Sequence, residues 1–235
     1  MSTLATRLAG VRARIERAAR AVGRDPAAVR ILAVSKNQGP QNVLEAVSAG
    51  LLAFGENRVQ EAAEKIPTVE KACGVSLEWH LIGGLQRNKA RRAVELCDVI
   101  QSADRPELLL ALDKAATELR RRPRIFLQVN IDREPQKSGC LPSTLGALAD
   151  VADGCPSLDL VGLMAIPSAR DNPEQVRPSF ARLRALQADL NRTRPRDRAL
   201  SELSMGMTSD FEVAVQEGAT WLRIGTALFG EREKT

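Results

Sequence analysis

In this 235-residue chain, Lys36 follows the apolar run Ile31 to Val34. A lysine at the end of a buried strand has its ammonium partly desolvated, which favours the neutral amine that attacks a carbonyl to form an imine. The same position suits a lysine that simply extends its charge to solvent over an apolar stem. Towards the other end of the sequence, Ser204-Met205-Gly206 and Gly225-Thr226 each place a small residue and a hydroxyl just after an apolar run. Glycine lets backbone N–H groups approach a phosphate closely, and a helix N-terminus adds favourable partial charge. The same residue types also serve as plain turn formers. Arg223, two residues before Gly225, needs an acceptor wherever it is buried, because an unpaired guanidinium is costly away from water. A ring nitrogen of a ligand or a neighbouring carboxylate would serve.

The segment Glu78-Trp79-His80-Leu81-Ile82-Gly83 alternates so that Glu78, His80 and Ile82 share one face and Trp79 and Leu81 the other. His80 then either lines a mouth and helps cover a ring, or is a hydrogen-bonded core histidine. Asn57 and Asn130, at the ends of apolar runs, are fit to hydrogen-bond a ligand or to cap a helix. His80 is the one histidine and tyrosine is absent. Mechanisms built on a tyrosine acid/base or on a histidine pair are thereby excluded. Cys73, Cys97, Cys140 and Cys155 are widely spaced, with no CxxC pair, so reduced thiols are expected rather than a disulfide framework or a zinc site.

At 44% hydrophobic and 27% charged residues, the composition is that of a soluble globular protein. No apolar run approaches the ~20 residues of a membrane span, and the first residues, MSTLATRLAGVRARIERAAR, read as an amphipathic helix without a signal-type apolar block. A cytoplasmic location and no membrane partner are expected. A net charge of +5 and a pI near 9.3 raise nucleic acid as a partner. The excess sits in LRRRPR (119–124) and RTRPRDR (192–198), which lack interleaved aromatics and read as solvated helix ends and loops. No nucleic-acid role is expected.

These residues need elements to position them. After the N-terminal helix, short apolar runs alternate with longer amphipathic stretches. Strands are predicted at 29–34, 51–55, 77–82, 99–102, 124–131, 158–166, 200–205 and 221–224. Helices are predicted at 41–49, 58–72, 87–96, 106–119, 143–153, 174–190, 210–217 and 227–229. Crossovers of this length suit parallel strands, and continuous apolar strands imply burial on both faces. Eight such units within a length that α/β barrels routinely occupy as one domain favour a (β/α)8 TIM barrel over an open doubly wound sheet, as a single domain spanning 1–235 with an extra N-terminal helix. In a barrel, the residues at the carboxyl ends of the strands converge on one mouth, and the loops after the last two strands commonly hold phosphate.

The motifs AVSK (33–36), FGENRVQE (54–61), WHLIGGLQRNK (79–89), QKSG (136–139), GLMAIP (162–167), LSMGMTSDFEVAVQEGAT (203–220) and LRIGTALFG (222–230) resemble, in this order, those of the pyridoxal 5′-phosphate (PLP) homeostasis proteins. These are fold-type III PLP-binding barrels similar to the N-terminal domain of alanine racemase. The resemblance implies that Lys36 carries PLP as an internal aldimine. It implies that Ser204, Gly206, Gly225 and Thr226 hold the phosphate, with Met205 contributing backbone, and that Arg223 faces the pyridine nitrogen. Asn57, His80 and Met164 would surround the ring. The chain departs from the family after its lysine, where Asn37-Gln38-Gly39-Pro40 stands in place of the frequent Thr and nearby Pro, and again at Gly84-Leu85.

An arginine, permanently protonated and donor-only, cannot share a proton with the ring nitrogen as a carboxylate can, which weakens the electron sink of the cofactor. Racemisation also needs acid/base groups on both faces of the substrate carbon. The related racemases supply the second as a tyrosine from another domain, and no tyrosine is present here. The expected function is therefore non-catalytic PLP binding and homeostasis, with PLP-dependent apoenzymes as partners and a monomer as the default state. The alternative is a weak PLP-dependent amino-acid racemase or lyase using Lys36 as its base.

Overall fold

The computed structural model describes residues 3–230; the remaining ends of the expected 1–235 domain lie outside the described residues. The chain begins with α1 (Leu4–Arg20), whose first turn is capped by the Thr3 hydroxyl accepting from the Thr6 amide. Leu4, Leu8, Val11 and Ile15 recur at helical spacing and form its buried stripe. The stripe packs against the last helices of the chain, and Arg14 clamps it there by donating to both carboxylate oxygens of Glu212, at 3.0 and 2.8 Å.

Eight strand–helix units follow: β1 (Arg30–Val34) and α2 (Pro40–Ser48), β2 (Ala53–Glu56) and α3 (Val59–Cys73), β3 (Glu78–Leu81) and α4 (Ala90–Leu96), β4 (Val99–Ala103) and α5 (Pro106–Leu119). The second half comprises β5 (Arg124–Val129) and α6 (Leu145–Asp153), β6 (Asp159–Ala165) and α7 (Arg177–Asn191), β7 (Glu202–Ser204) and α8 (Phe211–Gln216), β8 (Trp221–Ile224) and α9 (Thr226–Phe229). All neighbouring strands are parallel, and β8 returns to pair with β1, Leu32 opposite Arg223. The sheet is a closed barrel, which decides against the open doubly wound alternative. Element boundaries move by a few residues from their predicted places. Helices α4, α6 and α7 each begin with a 3₁₀ turn, two of them started by Pro142 and Pro173, because proline's fixed φ suits a tight first turn.

The pleat sorts side chains into two cores. Ala33, Phe54, Trp79, Leu81, Ile100, Leu127, Leu163, Leu203 and Leu222 point outward into the layer beneath the helices. Leu32, Val34, Ile82, Val99, Phe126, Met164 and Trp221 fill the interior. His80, Gln101, Ser204 and Arg223 alternate with these interior residues along β3, β4, β7 and β8, and all four are buried. The predicted alternation along β3 holds, with Trp79 and Leu81 outward and Ile82 inward.

Candidate functional site

A cavity of about 680 Å³ opens where the carboxyl ends of the strands meet. Lys36 after β1, Asn57 after β2, Gly83 after β3, Thr208 after β7 and Thr226 after β8 all line it, so the barrel brings together residues up to 190 positions apart.

Parity puts Lys36 there. Leu32 and Val34 face the interior of the barrel, and the next residue of the same parity is Lys36, half-buried at the rim. The turn that carries it is anchored from behind. Ser35 points the opposite way, its hydroxyl donating to Glu56 Oε1 at 2.7 Å. The buried ammonium of Lys65 donates to the Ser35 carbonyl at 2.7 Å, to Glu56 at 2.7 Å and to Glu61 at 2.8 Å. Glu61 in turn accepts from the Asn37 amide at 2.5 Å. Asn37 has φ 60°, left-handed backbone that asparagine tolerates better than most residues. Burial pushes the Glu56 carboxyl up, against the pull of Lys65 and Ser35, and its Oε2 is without a partner among the described residues. For Glu61, burial is outweighed by the bonds from Lys65 and Asn37, so its carboxyl sits below the usual range.

Arg223 enters the cavity from the interior of β8 and is only 3% exposed. No salt bridge reaches it among the described residues, and its Nη1 and Nη2 donate to neutral acceptors, Ser204 Oγ and the Ala165 carbonyl, each at 2.8 Å. Burial pushes its guanidinium down to about 10, with Asp210 working against the shift; it stays protonated at neutral pH. Of the two acceptors that the sequence leaves open for it, the carboxylate is not in contact. Gly225 and Thr226 lie beside it at the start of α9, facing the hydroxyl-bearing Thr208 and Ser209. A Cβ added at Gly83 would sit 2.2 Å from the Asn57 carbonyl, so glycine there lets the two loops touch at the rim.

The other expected residues do not line the cavity. Met164 belongs to the interior core. The Ser204 hydroxyl is buried and its one O–H is committed, accepting from Arg223 and donating to Gln101 Oε1 at 2.6 Å. The Met205 amide donates to the Trp221 carbonyl at 3.2 Å, and its side chain lies in the outer core. Gly206, at φ 91°, turns the chain over α8, where a Cβ would come within 2.5 Å of the Ala214 Cβ. His80 lies deep in the barrel, its Nε2 at 2.5 Å from Glu78 Oε1. Asn130 ties its own loop, donating to the Glu134 and Lys137 carbonyls and accepting from the Glu134 amide. Sequence reasoning gave no role to Ser209, Gln128, Lys137 or Ser138, which line the cavity; the motif QKSG was the signal for the last two.

The family model for the alanine racemase N-terminal domain matches residues 7–233. A pyridoxal phosphate homeostasis protein of Pseudomonas aeruginosa is 46% identical over 233 residues, covering 99% of this chain and 97% of that protein. The chain belongs to the pyridoxal phosphate homeostasis proteins. A solved relative, PipY of Synechococcus elongatus PCC7942 with PLP bound, is 41% identical with a TM-score of 0.85 over 97% of this chain and 100% of that one. The alanine racemase of Clostridium difficile 630 shares the fold alone, with a TM-score of 0.68 at 11% identity over 94% of this chain and 56% of that one. Pyridoxal phosphate homeostasis proteins thus carry the racemase-type barrel that the sequence resemblance implied.

Proposed function

We propose that this chain holds PLP in the mouth of its barrel and serves PLP homeostasis without turning over amino acids. The observation that carries the reading is the convergence of the Lys36 amine, the buried Arg223 guanidinium and the hydroxyl-rich pair of loops on one cavity. The donor set fits the coenzyme: an amine for the aldehyde, a donor for the ring nitrogen, and Gly225, Thr226, Thr208 and Ser209 for the phosphate. Asn57, which lines the same cavity, would stand beside the ring. When bound, PLP supplies an aldehyde that an amine captures and, where its ring nitrogen is protonated, an electron sink.

The surrounding residues favour holding over processing. A guanidinium gives the ring nitrogen a hydrogen bond but no shared proton. No tyrosine exists to act as a second base, and the one histidine is buried away from the cavity. We propose further that the chain is a cytoplasmic monomer, one domain over 1–235, that exchanges PLP with PLP-dependent apoenzymes and has no nucleic-acid partner. No helix among the described residues is long and apolar enough to cross a membrane.

The purified protein should be yellow. Borohydride should abolish the visible band and leave an added mass on the peptide containing Lys36. A mass increment on another peptide, or no coenzyme retained after incubation with PLP, overturns the reading. Amino-acid turnover that disappears in Lys36→Ala would instead make the protein an enzyme.

A further inference from the structure

A chain of hydrogen bonds crosses the interior of the barrel from the floor to the mouth. Arg223 Nη1 lies 2.8 Å from Ser204 Oγ, which lies 2.6 Å from Gln101 Oε1. Gln101 Nε2 lies 2.8 Å from His80 Nδ1, and His80 Nε2 lies 2.5 Å from Glu78 Oε1. Glu78 is held in turn by Arg124, which also faces Glu202 at 3.7 Å; Glu202 pairs with Arg30 at 2.6 Å. His80, Gln101 and Ser204 are completely buried.

The two ends of this chain, together with the orientation of the Gln101 amide, set the protons between them. Arginine can only donate, so Ser204 Oγ accepts from Arg223, and its own hydrogen goes to the Gln101 carbonyl oxygen that faces it. The Gln101 amide is thereby oriented with its NH₂ toward His80 Nδ1, which must present a lone pair. The imidazole proton then sits on Nε2 and is donated to Glu78, a carboxylate that ionised can only accept. Burial pushes His80 below its usual value despite the opposing pull of Glu78, and the hydrogen bond from His80, with Arg124 alongside, outweighs burial to keep Glu78 ionised.

We infer that Gln101 and Ser204, anchored by His80 and Glu78, are positioning residues that aim the Arg223 guanidinium into the cavity. Ser204 thus acts through Arg223 rather than on a phosphate. Its one O–H is given to Gln101, so it has no donor left for a phosphate, whereas Thr208 and Ser209 line the cavity. The role of the chain toward a bound ring rests on the PLP reading above; its proton arrangement does not.

Because the protein has one histidine, ¹⁵N spectra of the imidazole are unambiguous, and the PLP-free protein can be used. The neutral Nε2–H tautomer is expected at pH 7. In Gln101→Glu the donor facing Nδ1 becomes an acceptor, and the imidazole should convert to the doubly protonated cation; in Gln101→Leu it should stay neutral. With PLP, Ser204→Ala should weaken retention about tenfold, the effect of losing one hydrogen bond to a charged group, and Ser204→Thr should restore it. An Nδ1–H tautomer in the wild type, a neutral imidazole in Gln101→Glu, or undiminished retention in Ser204→Ala overturns the inference. Wild-type protein that shows the expected tautomers yet binds no PLP refutes the PLP reading and leaves the proton arrangement standing.

Discussion

The two faces of the barrel wall are built from the same strands and do opposite work. On the outward face, Phe54, Trp79, Ile100, Leu127, Leu163, Leu203 and Leu222 form an apolar layer against the helices, with Ser35, Glu56 and Ser102 buried only towards the carboxyl ends of the strands. On the inward face, His80, Gln101, Ser204 and Arg223 interrupt the apolar filling. Burying four polar side chains is tolerated there because each finds a partner, and an unmet polar group would cost more than the bond itself returns. The outer face is where area leaves water and stability accrues. The inner face gives up some of that return to fix one guanidinium at the mouth.

The comparison is tested hardest at Trp79, which packs on Phe54 with ring centroids 5.4 Å apart. Trp79→Ala should cost about 3–5 kcal/mol by urea unfolding. Trp79→Phe should cost far less. The lost volume is offset because the buried indole N–H has no partner among the described residues, and leaving such a donor unmet costs about 1–3 kcal/mol. Neither change should alter PLP retention by the folded protein. Altered retention in Trp79→Phe would show that the outer face also shapes the site.

A smaller loss is expected at Gly206→Ala. The left-handed φ of 91° and the 2.5 Å approach to Ala214 combine strain with overpacking, costing about 1–3 kcal/mol. Retention should suffer with stability here, because the Gly206 carbonyl accepts from the Arg223 amide at 3.0 Å. A stable variant with normal retention would separate the α8 turn from the site.

The two faces were not equally legible in the sequence. All eight strands and their helices could be read, since apolar runs and amphipathic stretches differ in period, and alternation along β3 put His80 on one face with Glu78 and Ile82. The glycine and hydroxyl residues after β7 and β8 also drew attention. What a linear reading missed is which hydroxyl faces the cavity. Ser204 and Thr208 belong to one motif, and only the register of β7 shows that the first points down the barrel to Gln101, 103 residues away on a strand that is not its neighbour. Gln101 itself carries no local signal, because a glutamine in an apolar strand reads as an exposed alternate position until the barrel closes around it. The Lys65 cluster behind Lys36 was hidden for the same reason. A lysine inside an amphipathic helix reads as solvated, whereas here it is 5% exposed and neutralised by Glu56 and Glu61.

The smallest effect expected is a pH dependence seated at the foot of the inward chain. Burial raises the Glu78 carboxyl, but the hydrogen bond from His80 and the charge of Arg124 outweigh it, so the folded value lies below the ordinary one. A depressed carboxylate contributes stability that is present above its unfolded value, near 4.5, and is lost as the pH falls through the folded value. Protonated Glu78 would also cease to be a pure acceptor, and the polarity imposed on His80, Gln101 and Ser204 would lose its anchor. Urea midpoints measured from pH 7 downward should therefore fall less steeply in Glu78→Gln than in the wild type below the ordinary carboxylate range, with Glu78→Gln already the less stable at pH 7. Parallel acid limbs in the two proteins would mean that the chain draws its polarity from Arg223 alone, and that the floor of the barrel does not set the geometry of its mouth.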